Sequence, residues 1–241
     1  MNDQDYVFQR IGRMSAHSGS LLLLLILSAD LAFILLHTVN ATPLLSSDLF
    51  DLAAAGGHAK TYHLIKLFWV IVLLAHVLRA TRHSGYLSWI LVVLFLFFDD
   101  AFQLHQVIGR SIAQNFAAVQ FPYLSLQPRH FGEWAIFAIM AAFLLAVVAL
   151  SYWRGTRTFK KVSIDLLLLM MAFVFFGVVV DLAAAMRLGP VIEFVLGTVE
   201  DGGEMVVVSL LLWYCFCLAT RDGNPDFFLR DLLARPSRRG A

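Results

Sequence analysis

Charge is scarce in this chain. Asp, Glu, Lys and Arg make up 15% of its 241 residues, and the two signs nearly cancel at a net +1. That is too little to keep an ordinary soluble domain in water, and with no basic run in the apolar part a nucleic-acid partner is excluded. Cysteine is limited to Cys215 and Cys217. Two residues apart in one apolar segment, they point to different sides of a helix and form neither a disulfide nor a C-x-x-C metal site. There is no H-E-x-x-H and no clustered histidine box, so zinc-hydrolase chemistry has no motif behind it.

What is abundant is apolar, at 60% of the residues. Six stretches, residues 18–39, 61–78, 86–108, 131–153, 164–185 and 199–219, each approach the roughly 20 residues a helix needs to cross a bilayer. The fold expected is therefore an all-α integral membrane protein of six transmembrane helices, with the lipid bilayer supplying most of the burial. The first stretch is not a secretory signal: it is longer than an h-region, contains Asp30 and is followed by no A-x-A site. Residues 1–17 read as an amphipathic interfacial segment, 18–219 as the transmembrane domain, and 220–241 as an amphipathic basic tail. In the loop over 40–60, SSDLFDLAA predicts a capped helix starting at Ser46 or Ser47.

Cations set the orientation. Placing both termini and the second-to-third and fourth-to-fifth connections on one side gathers 13 Lys and Arg there, against Lys60, Arg110, Arg129 and Arg187 on the other. By the positive-inside rule both termini are cytoplasmic. On this topology the strongly polar residues of the spans collect in the outer half, with His76 and Asp165 the exceptions. Asp30, Asp99, Asp100 and Asp181 lie on the outward-running helices, and His37 and His105 lie near the outer ends of the first and third. His63, Lys66, Glu133, Glu200, Asp201 and Glu204 sit in or just before the first turns of the inward-running ones.

The third span concentrates these groups. Within LFLFFDDAFQLHQVIG, Asp99, Gln103 and Gln106 share a stripe at i, i+4 and i+7. Three αα-hairpins each carry one aspartate in the outward helix, and Asp30 to His63 spans the same 33 residues as Asp100 to Glu133. An internal repeat would bring these groups to one centre. Coincidence among apolar segments is the alternative. Ionisable groups inside a bilayer cost at least about 2.5 to 3.5 kcal/mol each, so they mark a functional site by default. Glu200 and Asp201 also admit a plainer reading, as helix N-terminal acids favoured by the dipole.

The cluster supports several readings. In the foremost it binds or conducts a cation, a divalent metal or a proton, with Asp100, Glu133 and Glu204 at the heart. Asp30, Asp181, His63, His105, Asp99 and His37 are then further ligands or partners. In another, a metal-activated water attacks a lipid-like substrate, making the protein a membrane-embedded hydrolase. In a third, buried acid–histidine pairs only orient helices within an accessory or assembly subunit of a larger complex, or within a homo-oligomer. Haem b, ligated by two of His37, His63 and His105, is disfavoured because nothing points to a porphyrin pocket.

DDAFQLHQ, with VEDGGEM later in the chain, resembles a D-E-x-x-x-L-H-E and L-E-E-x-x-E-M pattern of an uncharacterised family of multispanning bacterial membrane proteins. The resemblance covers about fifteen residues. The chain departs from it at Asp100, where the pattern has Glu, and at Gln106, where it has the second Glu. It implies a multi-pass protein of the bacterial inner membrane and no known activity.

Overall fold

The computed structural model describes residues 3–42, 47–54, 56–113, 128–184 and 189–221. These are helical, with no strand among the described residues. Five helices are long and apolar enough to cross a membrane: Gly19–Asn40, His58–Thr81, Gly132–Arg154, Arg157–Ala184 and Pro190–Ala219. The basic tail beyond Arg221 and residues 114–127 of the loop expected between the third and fourth spans lie outside the described residues.

The first helix, α1 (Asp3–Asn40), is uninterrupted, so the segment before residue 18 continues the first span. The 40–60 loop holds a single 3₁₀ turn, Asp48–Phe50, which Ser47 caps by accepting from the Leu49 N–H. It is shorter than the helix the sequence suggests. Helix α2 (His58–Thr81) starts after Gly57 and ends where Arg82 turns left-handed at φ 51°.

Residues 86–108, expected as one span, are two helices. The first, α3 (Tyr86–Phe102), has 17 residues, and Gln103 breaks it with φ 50°, donating its N–H to the Asp99 carbonyl. Then comes α4 (Leu104–Ala113). Left-handed backbone is costly for a residue with a Cβ, so tertiary packing must hold this break. The stripe of Asp99, Gln103 and Gln106 therefore does not exist as one helical face.

Helix α5 (Pro128–Arg154) opens on a proline at its first position, where the missing N–H costs nothing. Thr156 caps α6 (Arg157–Val174) by accepting from the Phe159 N–H at 3.3 Å. The same rod continues through a π-helical turn, Phe175–Val180, into the short α7 (Asp181–Ala184). Last is α8 (Pro190–Ala219), begun by Gly189 at φ 111° and Pro190. Its start lies nine residues before the expected 199, which corrects the placing of Glu200, Asp201 and Glu204 in a first turn. They sit about three turns in, where the helix-dipole reading of Glu200 and Asp201 no longer applies.

Helix α8 is the axis of the bundle. It packs against α1, α2, α6 and the π turn, and 61% of its most apolar stretch is buried in the protein, against 6% for α5. A stripe of Val208, Leu211, Cys215 and Leu218 meets Leu67, Val70, Leu74 and Val77 of α2, all of them buried. Apolar side chains gain little by leaving lipid for protein, so close approach and polar contacts must hold such helices together. Gly202 supplies one approach: a Cβ there would lie 3.1 Å from Ile34 Cδ1 of α1. Both cysteines are free, Cys215 in this core and Cys217 half-buried.

Candidate functional site

The polar residues of α2 organise the interior. Lys60, His63 and Lys66 recur every three residues, near enough to the helical repeat to share one broad face. They reach different neighbours because α3 and α8 both pack on α2, and α8 brings α1 with it.

Lys66 serves α1 and α8. Its Nζ donates to Asp30 Oδ1 at 2.8 Å, to the Met205 carbonyl at 2.7 Å and to Ser209 Oγ at 2.9 Å. The Ser209 hydroxyl in turn donates to Asp30 Oδ2 at 2.6 Å. Asp30, Lys66 and Ser209 are all 0% exposed. Both carboxylate oxygens and all three ammonium protons thus have partners, which is the condition under which a buried ion pair is tolerated. The ammonium already fills the position a metal ion would take at Asp30.

Lys60 and His63 serve α3. Lys60 Nζ donates to Asp100 Oδ1 at 2.6 Å, and His63 Nε2 lies 3.1 Å from Asp100 Oδ2. That second contact is close but out of line, so neither His63 Nε2 nor Asp100 Oδ2 makes an aligned hydrogen bond although both atoms are buried. A buried polar atom in that condition costs about 1–3 kcal/mol and calls for an explanation. Asp100 stands three residues before the break at Gln103, and its neighbour Asp99 is also buried.

The acids of α8 face this group. Asp201 and Glu204 lie within electrostatic reach of Lys60 and Asp100, as does Glu200 of Lys60. Glu204 is half-buried and turned against Gly177 of the π turn, where any Cβ would overlap its carboxyl. Asp181, half-buried just past that turn, acts electrostatically on Glu200 and Asp201.

Of the residues singled out from sequence, Asp100, His63 and Glu204 are thus gathered at one place, with Asp181 alongside. Asp30 belongs to the separate Lys66 group, about 9 Å along α2 from Lys60 on helical rise alone. Glu133 is in the second turn of α5 and packs on α4, a Cβ at Gly109 falling 2.7 Å from its Cγ. His37 is occupied at the loop: its Nδ1 accepts from the Leu52 N–H at 3.2 Å and lies 3.3 Å from Asp51, while its ring stacks on Phe194. His105 is in α4, and its side chain lies outside the described residues. Among the described residues, no group of three or more His, Cys, Asp and Glu is arranged to hold a metal ion. Sequence reasoning missed Lys60, counting it as a loop cation. Its spacing of three from His63 was the available signal.

Residues 19–219 match a family model described as Domain of unknown function (DUF8692), and the chain belongs to that family. No curated protein and no solved structure matches it.

Proposed function

We propose that the chain is a six-span protein of the bacterial inner membrane, both termini cytoplasmic, whose outer-half cluster of Lys60, His63, Asp100 and Glu204 binds and relays a proton. The 13 to 4 imbalance of cations supports the orientation, and α3 with α4 supplies the sixth crossing. The observation that carries the function is Asp100 held between Lys60 at 2.6 Å and His63 at 3.1 Å, beside a helix break. Three titratable groups in contact exchange a proton by small rotations, and His63 Nε2 and Asp100 Oδ2 are the two atoms left out of line. Broken helices in membranes accompany ion sites because they free backbone groups where a cavity is lined. The proton is favoured over a divalent ion because an ammonium already sits on Asp30 and another on Asp100.

Flux measurement tests this. Purified protein in liposomes, loaded with a pH-sensitive dye and given a potassium diffusion potential, is expected to pass protons faster than empty liposomes. Asp100→Asn and His63→Phe are expected to lower that flux at least tenfold. No flux from the wild type, together with stoichiometric metal by elemental analysis, would replace the proton with a metal ion. No flux and no metal would leave a packing subunit of a larger complex.

A further inference from the structure

Between α3, α5 and α6 the bundle leaves a cavity of about 490 Å³, within the roughly 300–1,000 Å³ that small organic ligands occupy. Trp89 and Phe95 line it from α3, Trp134 and Phe137 from α5 and Met170 from α6, and Glu204 reaches it from α8. Glu204 is the sole ionisable residue among those lining it. A lipid acyl chain fills an apolar cavity but offers a carboxyl nothing, and among the described residues Glu204 has no hydrogen bond or ion pair. Asp100, Glu200 and Asp201 act on Glu204 as like charges, with Lys60 the one cation opposing them among the described residues. Burial and these like charges both oppose a charge on Glu204, so a cation brought there by a ligand is the group that offsets it.

We propose that this cavity is a binding site for a lipophilic cation, its apolar body among Trp89, Trp134 and Phe137 and its protonated amine on the Glu204 carboxylate. The apolar walls select the body and bilayer partitioning brings the ligand to them. The unpaired carboxylate distinguishes an amine from a neutral amphiphile of the same length, because only the amine supplies both the hydrogen bond and the opposite charge. The site goes beyond the proton relay and shares only Glu204 with it, since Asp100, His63 and Lys60 do not line the cavity.

The test is photolabelling of the full chain in phosphatidylcholine nanodiscs with a diazirine-bearing long-chain alkylamine, beside the alcohol of the same chain, and mapping of adducts by mass spectrometry. Amine adducts are expected at Phe137 and Met170, at least tenfold more abundant than alcohol adducts. Glu204→Gln is expected to bring the two probes to parity, and Ala141→Trp, which fills the cavity, to remove both. Equal labelling by amine and alcohol in the wild type would overturn the proposal. So would adducts spread over the exposed Phe143 and Trp153, or an undiminished amine preference in Glu204→Gln. The wild-type comparison decides the matter even where a variant does not fold. A negative result here leaves proton flux through Asp100 to be judged on its own.

Discussion

Lys66 of α2 donates to Asp30 of α1 across 2.8 Å at a place where neither residue has any exposed surface. Each charge is tolerable there only because of the other. Lys66→Met alone strands a buried carboxylate, and the expected cost is about 3–5 kcal/mol. Asp30→Asn combined with Lys66→Met is expected to recover most of that loss. The readout is thermal unfolding in detergent, followed by a thiol-reactive dye at the buried Cys215 in a Cys217→Ser background. A double variant as unstable as the single would mean that the two residues act separately.

Around Lys60, at the start of α2, the two acids Asp100 and Glu204 are expected to respond in opposite directions. Asp100→Asn takes the partner from Lys60 and weakens the contact with His63, so the melting temperature should fall. Glu204→Gln removes a carboxyl whose charge is opposed first by burial and then by Asp100, Asp201 and Glu200, so it should rise, by about 2–4 °C for each kcal/mol of relieved desolvation and repulsion. Under the proton reading a chelator changes neither curve. Stabilisation of the wild type by a divalent ion would speak for a metal.

Two glycines one helix apart separate the site from the scaffold. A Cβ at Gly177 would meet the mobile end of Glu204, whereas a Cβ at Gly203 would meet three atoms of the Phe176 ring. A carboxyl can swing aside and a packed ring cannot. Gly203→Ala is therefore expected to cost about 1–3 kcal/mol by overpacking. Gly177→Ala should unfold within a few degrees of the wild type but lose the amine-over-alcohol preference at the cavity. Equal destabilisation by both would place Glu204 as rigidly as Phe176.

Orientation is open to impermeant thiol labelling in a chain lacking Cys215 and Cys217. Asp48→Cys, on an exposed turn, is expected to react from outside intact cells, and Ser84→Cys, at the exposed α2–α3 connection, only after permeabilisation. The reverse pattern would invert the topology.

The long apolar helices were legible in sequence because composition alone determines them, and so was the separation of Cys215 from Cys217. Helix interruptions were not. Gln103 carries no breaker signal; its left-handed turn follows from where α3 and α4 must pack. The π turn had one hint, the lone Gly177 in FVFFGVVV, which makes room for a carboxyl 27 residues further along the chain. The early start of α8 was readable in Gly189-Pro190, a turn residue followed by a good first helical position, but the apolar count drew attention to residue 199 instead. Asp100, His63 and Glu204 stood out as isolated charges in apolar runs. Lys60 did not, because a lysine near a span end reads as a loop cation until its partner is known.

The wiring of Lys66 also bears on the order in which the chain can enter the membrane. Asp30 is 36 residues from Lys66, whereas Met205 and Ser209 are 139 and 143 residues away. When α1 and α2 leave the translocon, the two opposite charges can meet at once, so the hairpin crosses as a nearly neutral unit and avoids two insertion penalties of about 2.5–3.5 kcal/mol each. The remaining two donors of Lys66 must wait until most of the protein has been synthesised. Until α8 arrives the ammonium is only partly satisfied, and a chain truncated before residue 205 would present a half-paired lysine inside the bilayer, a state suited to recognition by a membrane quality-control protease.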